Sequence, residues 1–534
     1  MQSQQSRSLF DCWGFLQISP TMSSASSSSS KKKADEVLKS YWYPDRRAEL
    51  GEVREGFRLR ETFSVLAGVV LAPVVAVAVG TYAQQHPTVQ EMWFSSAKAL
   101  GELREQQKDV LTPLSVLLVG VVSVLVLLTW MVARRERAVY MMQFAVYQGQ
   151  DKNKVPHDFF IRRCRETGFF TDEALAFQEK LLHRTGLGNE TYFPDSVMNH
   201  PPDLTIEAAR AEALEVLEQV MSSVMEQGAI TRDDVDILIV NCSLFNPTPS
   251  LASMMLNHFK LKPSCRTYNL AGMGCSAGII AIDLARDLLQ VHAGCRAIVL
   301  STENITMNWY HGNDRSMLVS NTLFRMGASG VLLSNRWRDQ WRAKYRLVTT
   351  VRVHHGADDD AYNAVFQKSD GSGGGIGVSL SPHLLRVVGG ALKSNMTRLG
   401  PQVLPWSEQI RFFVQLCVRR IAGASRVPMY VPDFKKAFEH FCIHAGGRAI
   451  IDGLQENLSL SDYQVEPSRA TLYRYGNTSS SSVFYELNYI ERDGRVRKGD
   501  RIWQIAIGSG PKCNSAVWVA MKTLPGVKIK NKPE

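Results

Sequence analysis

The sequence predicts an α/β protein in which two βαβ halves repeat within one layered domain, preceded by a two-helix transmembrane hairpin. Three observations carry that expectation. Two long uncharged apolar stretches lie near the start, β-branched runs alternate with amphipathic stretches after residue 150, and the same order of elements returns about 200 residues later. At 534 residues the chain can bury a large core, and an apolar share of 45% is ordinary for a globular protein.

Residues 63–83, FSVLAGVVLAPVVAVAVGTYA, and 114–132, LSVLLVGVVSVLVLLTWMV, carry no charge, and each reaches the roughly 20 residues of a bilayer span. Nine Lys and Arg fall in 31–62, three lie between the spans (Lys98, Arg104, Lys108), and ARRER follows the second. The positive-inside rule therefore puts both ends, and everything after residue 133, in the cytosol. A buried core helix is the alternative for either span, and Pro73 weakens it for the first. Residues 1–62 are expected to be a cytosolic, largely disordered segment; the Ser-rich, nearly acid-free first 30 are alternatively an organelle transit segment.

After the hairpin, TDEALAFQEKLLHRTG (171–186) opens on an N-cap Thr, has two acids in its first turn and ends on Gly, the marks of a helix. DILIVNCSLF (236–245) and RAIVLSTEN (296–304) read as strands on either side of YNLAGMGCSAGIIAIDLARDLLQ (268–290), where a strand gives way to a helix at Cys275. The order strand, strand, cysteine, helix, strand then returns. FCIHAGG (441–447) matches ILIVNCS, TLYRY (471–475) matches RTYNL, SSSSVFYELNYIER (479–492) is a helix, and RIWQIAIGSG (501–510) matches RAIVLSTEN. Halves of this size form a single layered domain, 133–378 and 379–534, with the Gly-rich GSGGGIGV (371–378) as the linker between them.

This repeat places Asn477 where Cys275 falls in the first half and puts His444 at a strand end. Sites on α/β sheets gather at such ends. A thiol just before a helix start meets backbone N–H groups and the positive end of the helix dipole, so its pKa is expected to fall. The glycines at 272, 274 and 278 permit tight backbone geometry there. Cys275 is thus either a nucleophile or a small packing cysteine, and His444 a general base, an oxyanion donor or a core histidine.

The net charge of +10 fits nucleic acid, an anionic membrane face or polyanionic substrates, and the absence of a basic–aromatic pattern argues against nucleic acid. Nine cysteines without a CxxC pair argue against a disulfide framework or zinc ribbon. HHGADDD (354–360) has no matching ligand cluster at zinc-like spacing, so no metal is expected.

The motifs NCSLFNPTPSLASMM, YNLAGMGCSAGIIAIDLARDLLQVH, STENITMNWYHGNDRSMLVSN, TRLGPQVLP, HAGGRAIID, GNTSSSS and GSGPKCNSAVW follow one another between about residues 135 and 522. In them the chain closely resembles the plant-type 3-ketoacyl-CoA synthases of very-long-chain fatty acid elongation, and the hairpin matches that family too. The resemblance implies a thiolase-like α/β/α/β/α fold and an acyltransferase that condenses malonyl-CoA with a long-chain acyl-CoA, without a cofactor. It implies Cys275 as the acyl-accepting nucleophile with His444 and Asn477 completing the site, and His354 and His440 as further candidates. Two positions depart from the family pattern: Tyr473 stands for a histidine and Thr322 for a common cysteine. The implied setting is the endoplasmic reticulum membrane with the catalytic domain cytosolic. The implied partners are a second copy of the chain and the ketoacyl-CoA reductase, dehydratase and enoyl reductase of an elongase complex. A polyketide-type synthase and a catalytically silent elongase scaffold are the rival readings. Acyl chain-length preference is not legible.

Overall fold

In a computed structural model, residues 120–125, 136–371, 373, 375–422 and 430–526 are described. The principal strands are β1 Tyr140–Val146, β2 Ile237–Asn241, β3 Arg266–Leu270, β4 Arg296–Thr302, β5 Ala328–Ser334, β6 Tyr345–His354, β7 Val365–Ser369, β8 Ile376–Leu380, β9 His440–Ile443, β10 Arg501–Gly508 and β11 Lys512–Ala520. The principal helices are α1 His157–Glu166, α2 Asp172–Leu182, α3 Ile206–Gly228, α4 Leu251–Phe259, α5 Ala277–Val291, α6 Arg315–Leu323, α7 Leu384–Val403, α8 Trp406–Ala422, α9 Arg448–Leu458, α10 Asp462–Tyr475 and α11 Ser482–Arg492. As the cap signal at Thr171 predicts, its hydroxyl accepts from Ala174 N and starts α2.

A nine-stranded mixed sheet runs in the order β9-β10-β11-β6-β1-β5-β4-β2-β3. Its directions repeat about the β1–β6 contact. β1 and β6 are antiparallel to each other and each runs antiparallel to its outer neighbour, β5 or β11. That neighbour is antiparallel to β4 or β10, which in turn is parallel to β2 or β9. The duplication is therefore built into the hydrogen bonding. β6 lies before residue 378 in the chain, yet it pairs along its whole length with β11 and touches β1 only at Tyr345 and Arg346.

Two expectations are corrected. TLYRY is not a counterpart of β3; it is the last turn of α10, so among the described residues the second half has no fifth strand in the sheet. A Ser461–Gln464 capping box starts that helix and Gly476, at φ 67°, ends it, and these two signals override the strand preference of Thr-Leu-Tyr. The Gly-rich stretch is not a linker between halves. It closes an antiparallel hairpin in which Ser369 faces Ile376, with Gly371, Gly373 and Gly375 at positive φ.

Helices cover both faces of the strands, so β2 and β4 read as continuous apolar runs. Along β2, Leu238 and Val240 pack with Ala209, Val216 and Val220 of α3, while Ile237 and Ile239 pack with Ile279 and Ile282 of α5 and with Val483, Phe484 and Leu487 of α11. On the far side, Phe441, Ile443, Trp503 and Ile505 pack with Val388, Ala391 and Leu392 of α7. Three apolar cores separated by strands give the alternating helix and strand layers, with α5 and α11 in the middle layer.

The N-terminal segment 1–62 and both apolar stretches lie outside the described residues, except 120–125, which are helical. Among the described residues no helix is long and apolar enough to cross a membrane.

Candidate active site

Cys275 sits in a single 3-10 turn, Gly274–Ser276, between β3 and α5. Gly274 at φ 68° allows the turn, and a Cβ there would collide with the Ser509 backbone after β10. Gly278 meets a different demand. A Cβ on it would strike the Ser480 carbonyl oxygen, so only glycine lets the first turn of α5 abut the Ser479–Ser481 turn that precedes α11. The two equivalent turns of the duplicated halves therefore touch, and Ser479 lies beside Cys275.

His444 follows β9, its backbone N–H donating to Ile505 O at 2.9 Å. Its buried Nδ1 lies 2.6 Å from Ser482 Oγ, the first residue of α11. A serine hydroxyl accepts from Nδ1–H or donates to bare Nδ1, so Nε2 is available as acceptor or as donor. Burial lowers the imidazole pKa to about 4, and the ring is neutral at physiological pH.

Asn477 is held at both backbone ends: its N–H donates to Leu323 O at 3.1 Å, and its carbonyl accepts from Arg325 N at 3.0 Å. Ser479 N donates to Asn477 Oδ1 at 2.9 Å. The amide nitrogen is thereby fixed as the donor, with Gly446 O at 3.4 Å.

These three residues line one cavity of ≈ 480 Å³. Its deep wall is aliphatic, with Val319 and Leu323 of α6, Val378 and Leu380 of β8, and Leu384 and Val388 of α7. The exposed His183, Arg184 and Arg448 line its opening, with Asp452 3.5 Å from Arg448. The repeat thus brings together, around one sulfur, residues about 170 and 200 positions apart in the chain, as the sequence predicts.

The expected thiol activation is corrected. Burial pushes Cys275 up to about 12, with the nearby Ser479 hydroxyl opposing and the neighbouring Glu303 adding to the rise. A helix N-terminus contributes at most about 2 kcal/mol, whereas removing a thiolate from water costs several. Desolvation wins.

The remaining candidates lie elsewhere. His354 ends β6 on the surface beside Lys512, and His440 starts β9, a strand length from His444, bonded to Asp500 Oδ2 at 2.9 Å. Neither is part of the cavity lining. Strand direction explains the second case, because His440 and His444 stand at opposite ends of β9. Tyr473 is half exposed on α10 and Thr322 is buried, its hydroxyl donating to Leu318 O at 2.9 Å, so both departures fall outside the cavity wall as well.

Three site residues escape sequence reasoning. Glu303, buried after β4, accepts from Ser243 N at 3.1 Å, Leu244 N at 2.9 Å and Ser479 Oγ at 3.1 Å, tying three segments at the cavity floor. Ser479 has φ 55°, a left-handed backbone for a non-glycine, and such strain gathers at functional sites. Ser482 orients the imidazole. The only sequence signal for them is the acid in STEN at a strand end and the serine run after Asn477.

Residues 131–421 match the family model "FAE1/Type III polyketide synthase-like protein", and 416–519 match "Chalcone and stilbene synthases, C-terminal domain". The chain is 53% identical over 399 residues to 3-ketoacyl-CoA synthase 2 of Arabidopsis thaliana, covering 74% of this chain and 76% of the relative. It is 50% identical over 393 residues to probable 3-ketoacyl-CoA synthase 20 of Oryza sativa subsp. japonica, covering 73% and 75%. Among solved structures, 1,3,6,8-tetrahydroxynaphthalene synthase from Streptomyces coelicolor A3(2), a bacterial type III polyketide synthase, superposes with a TM-score of 0.58 at 18% identity, over 72% of this chain and 99% of that one. A fungal type III polyketide synthase gives 0.57 at 18%, over the same shares. At that identity the two structures establish the thiolase-like fold alone. Relatives at half identity across three quarters of the chain establish more: the chain belongs to the plant 3-ketoacyl-CoA synthase family.

Proposed function

We propose that this protein is a 3-ketoacyl-CoA synthase that performs the decarboxylative condensation of malonyl-CoA with a long-chain acyl-CoA, the first step of very-long-chain fatty acid elongation. The observation that carries the reading is the shared cavity of Cys275, His444 and Asn477, aliphatic at depth and cationic at its mouth.

Cys275 Sγ loses its proton and attacks the acyl-CoA thioester; the old C–S bond breaks and CoA leaves as its thiol. With Ser482 accepting from Nδ1–H, His444 Nε2 is the base for that proton. The acyl chain lies along the aliphatic wall, and Arg184 and Arg448 face the CoA phosphates. Malonyl-CoA then binds, and loss of carbon dioxide leaves an enolate. Its oxygen receives N–H from Asn477 Nδ2 and from His444 Nε2 in the other tautomer. Being neutral, both donors avoid a proton transfer that would quench the carbanion. The enolate carbon bonds the acyl carbon, the C–S bond to Cys275 breaks, and a 3-ketoacyl-CoA two carbons longer departs.

The two uncharged stretches at 63–83 and 114–132 support a membrane anchor and the Lys and Arg around them a cytosolic active site; the resemblance to the family adds the endoplasmic reticulum as the setting and, as partners, a second copy and the reductase, dehydratase and enoyl reductase of an elongase. The test is incubation of full-length protein with acyl-CoA of several lengths and malonyl-CoA radiolabelled at C2, which the product keeps. The expected product carries two more carbons and one label per turnover. Absence of any extended product from the intact protein overturns the reading, and cyclised products favour the polyketide-type alternative.

A further inference from the structure

Helix α8 is amphipathic in the reverse of the usual sense. At 100° per residue, Trp406, Ile410, Phe413, Val414, Cys417, Val418 and Ile421 fall in one arc of about 140° that holds a single polar residue, Ser407. All seven are exposed, Trp406 at 69% and Ile421 at 88%. The side held against the protein is mostly polar, with Glu408, Gln409, Gln415 and Arg419 beside the half-buried Phe412 and Leu416. Glu408, buried on it, accepts from Asp433 N at 3.1 Å, from Tyr430 OH and from Lys436 Nζ. Those bonds fix the rotation of the helix and keep its apolar stripe facing outward. Contiguous apolar surface of this kind on a folded protein marks a partner.

Two further observations identify the partner. Arg411, 3.9 Å from Glu408 yet 65% exposed, and the exposed Arg420 border the stripe on its two sides, where their stems can lie along apolar surface and their charges face an anionic layer. In the sequence, the second uncharged stretch ends at 132 and β1 starts at Tyr140, so the chain leaves few residues between its bilayer-compatible segment and the catalytic domain.

We propose that α8 is an interfacial helix, its apolar stripe seated among the headgroups and upper acyl chains of an anionic bilayer. It directly follows α7, whose Leu384 and Val388 line the deep wall of the cavity. The seat therefore adjoins the element that receives the acyl chain. The inference rests on the reading that 63–83 and 114–132 hold the chain to a bilayer.

The test uses the full-length protein in phosphatidylcholine–phosphatidylserine vesicles with bromines placed shallow or deep on the acyl chains. The chain has ten tryptophans, so the Trp406 signal is taken as the difference between wild type and Trp406→Phe, and the Trp130 signal likewise from Trp130→Phe. The expected result is quenching of Trp406, stronger with shallow than with deep bromines and weaker when phosphatidylserine is omitted. In the double variant Ile410→Asp, Phe413→Asp that quenching is lost while acyl transfer from a short, soluble acyl-CoA to Cys275 is unchanged. Quenching of Trp130 without quenching of Trp406 overturns the inference and leaves the anchor standing. A Trp406 signal that responds to protein dilution and not to bromines assigns the stripe to a second copy and also overturns it. Condensation is scored separately, so loss of activity with Trp406 still quenched refutes the proposed function and not the membrane seat.

Discussion

A thiol held near 12 is ionised in about one molecule in 10⁵ at pH 7 and one in 10³ at pH 9. Alkylation by iodoacetamide proceeds through the thiolate, so its rate at Cys275 is expected to rise about a hundredfold between those two values. A thiol activated by its helix to a pKa near 7 would rise only about twofold over the same interval, because half of it is already ionised at the start. The measurement is the time course of carbamidomethylation on the peptide containing Cys275, followed by mass spectrometry in the detergent-solubilised full-length protein. Since burial and not His444 sets the thiol, His444→Gln should keep the hundredfold slope while abolishing condensation. A plateau reached by pH 8, in either protein, would refute the claim that desolvation outweighs the helix dipole. The mechanistic corollary is that the proton leaves Cys275 as the acyl-CoA is attacked, and not from a standing thiolate.

Other outcomes follow from the same geometry. Asn477→Asp replaces the NH2 donor of that side chain with a repelling carboxylate, so decarboxylation should fall at least about 10²-fold while CoA release from the first acyl transfer persists, as read by a thiol reagent. The depressed His444 pKa stabilises the fold above its ordinary value of 6.5, and that stability is lost as pH falls towards about 4. His444→Gln should remove up to about 3 kcal/mol of that acid limb, measured by urea denaturation across the interval. Gly278→Ala should cost about 1–3 kcal/mol by forcing the two central turns apart, with a lower melting temperature and loss of acyl transfer. His440→Ala should cost about 1 kcal/mol through the lost Asp500 bond, and both it and His354→Ala should leave condensation within a few-fold of wild type in a steady-state assay.

The repeat at 441–447 and 501–510 and the Cys275 turn were legible, because strand periodicity and glycine placement are local properties that the chain writes out in order; the counterpart of Cys275 is Ser480 of the Ser479–Ser481 turn, three residues past Asn477, so the repeat locates Asn477 only approximately. The family motifs were legible for the same reason. The error at TLYRY was one of competing local signals. Its residues favour a strand, and the capping box at Ser461 and the glycine at 476, which decide for helix, lie outside the five-residue window. The Gly-rich run misled differently, since a linker and a hairpin turn need the same glycines and only the pairing of Val365–Ser369 with Ile376–Leu380 distinguishes them.

By itself, then, the sequence determined the alternation of elements, their duplication and the chemical identity of the central three side chains. Only the tertiary structure decided what surrounds them. Glu303, Ser479 and Ser482 become site residues through hydrogen bonds between segments far apart in the chain, and His354 and His440 fall outside the site because a strand places its two ends in different environments. The thiol's protonation was likewise undecidable beforehand. A helix start is visible in a string of residues, whereas desolvation depends on every atom that closes around the sulfur, and that is a property of the folded whole.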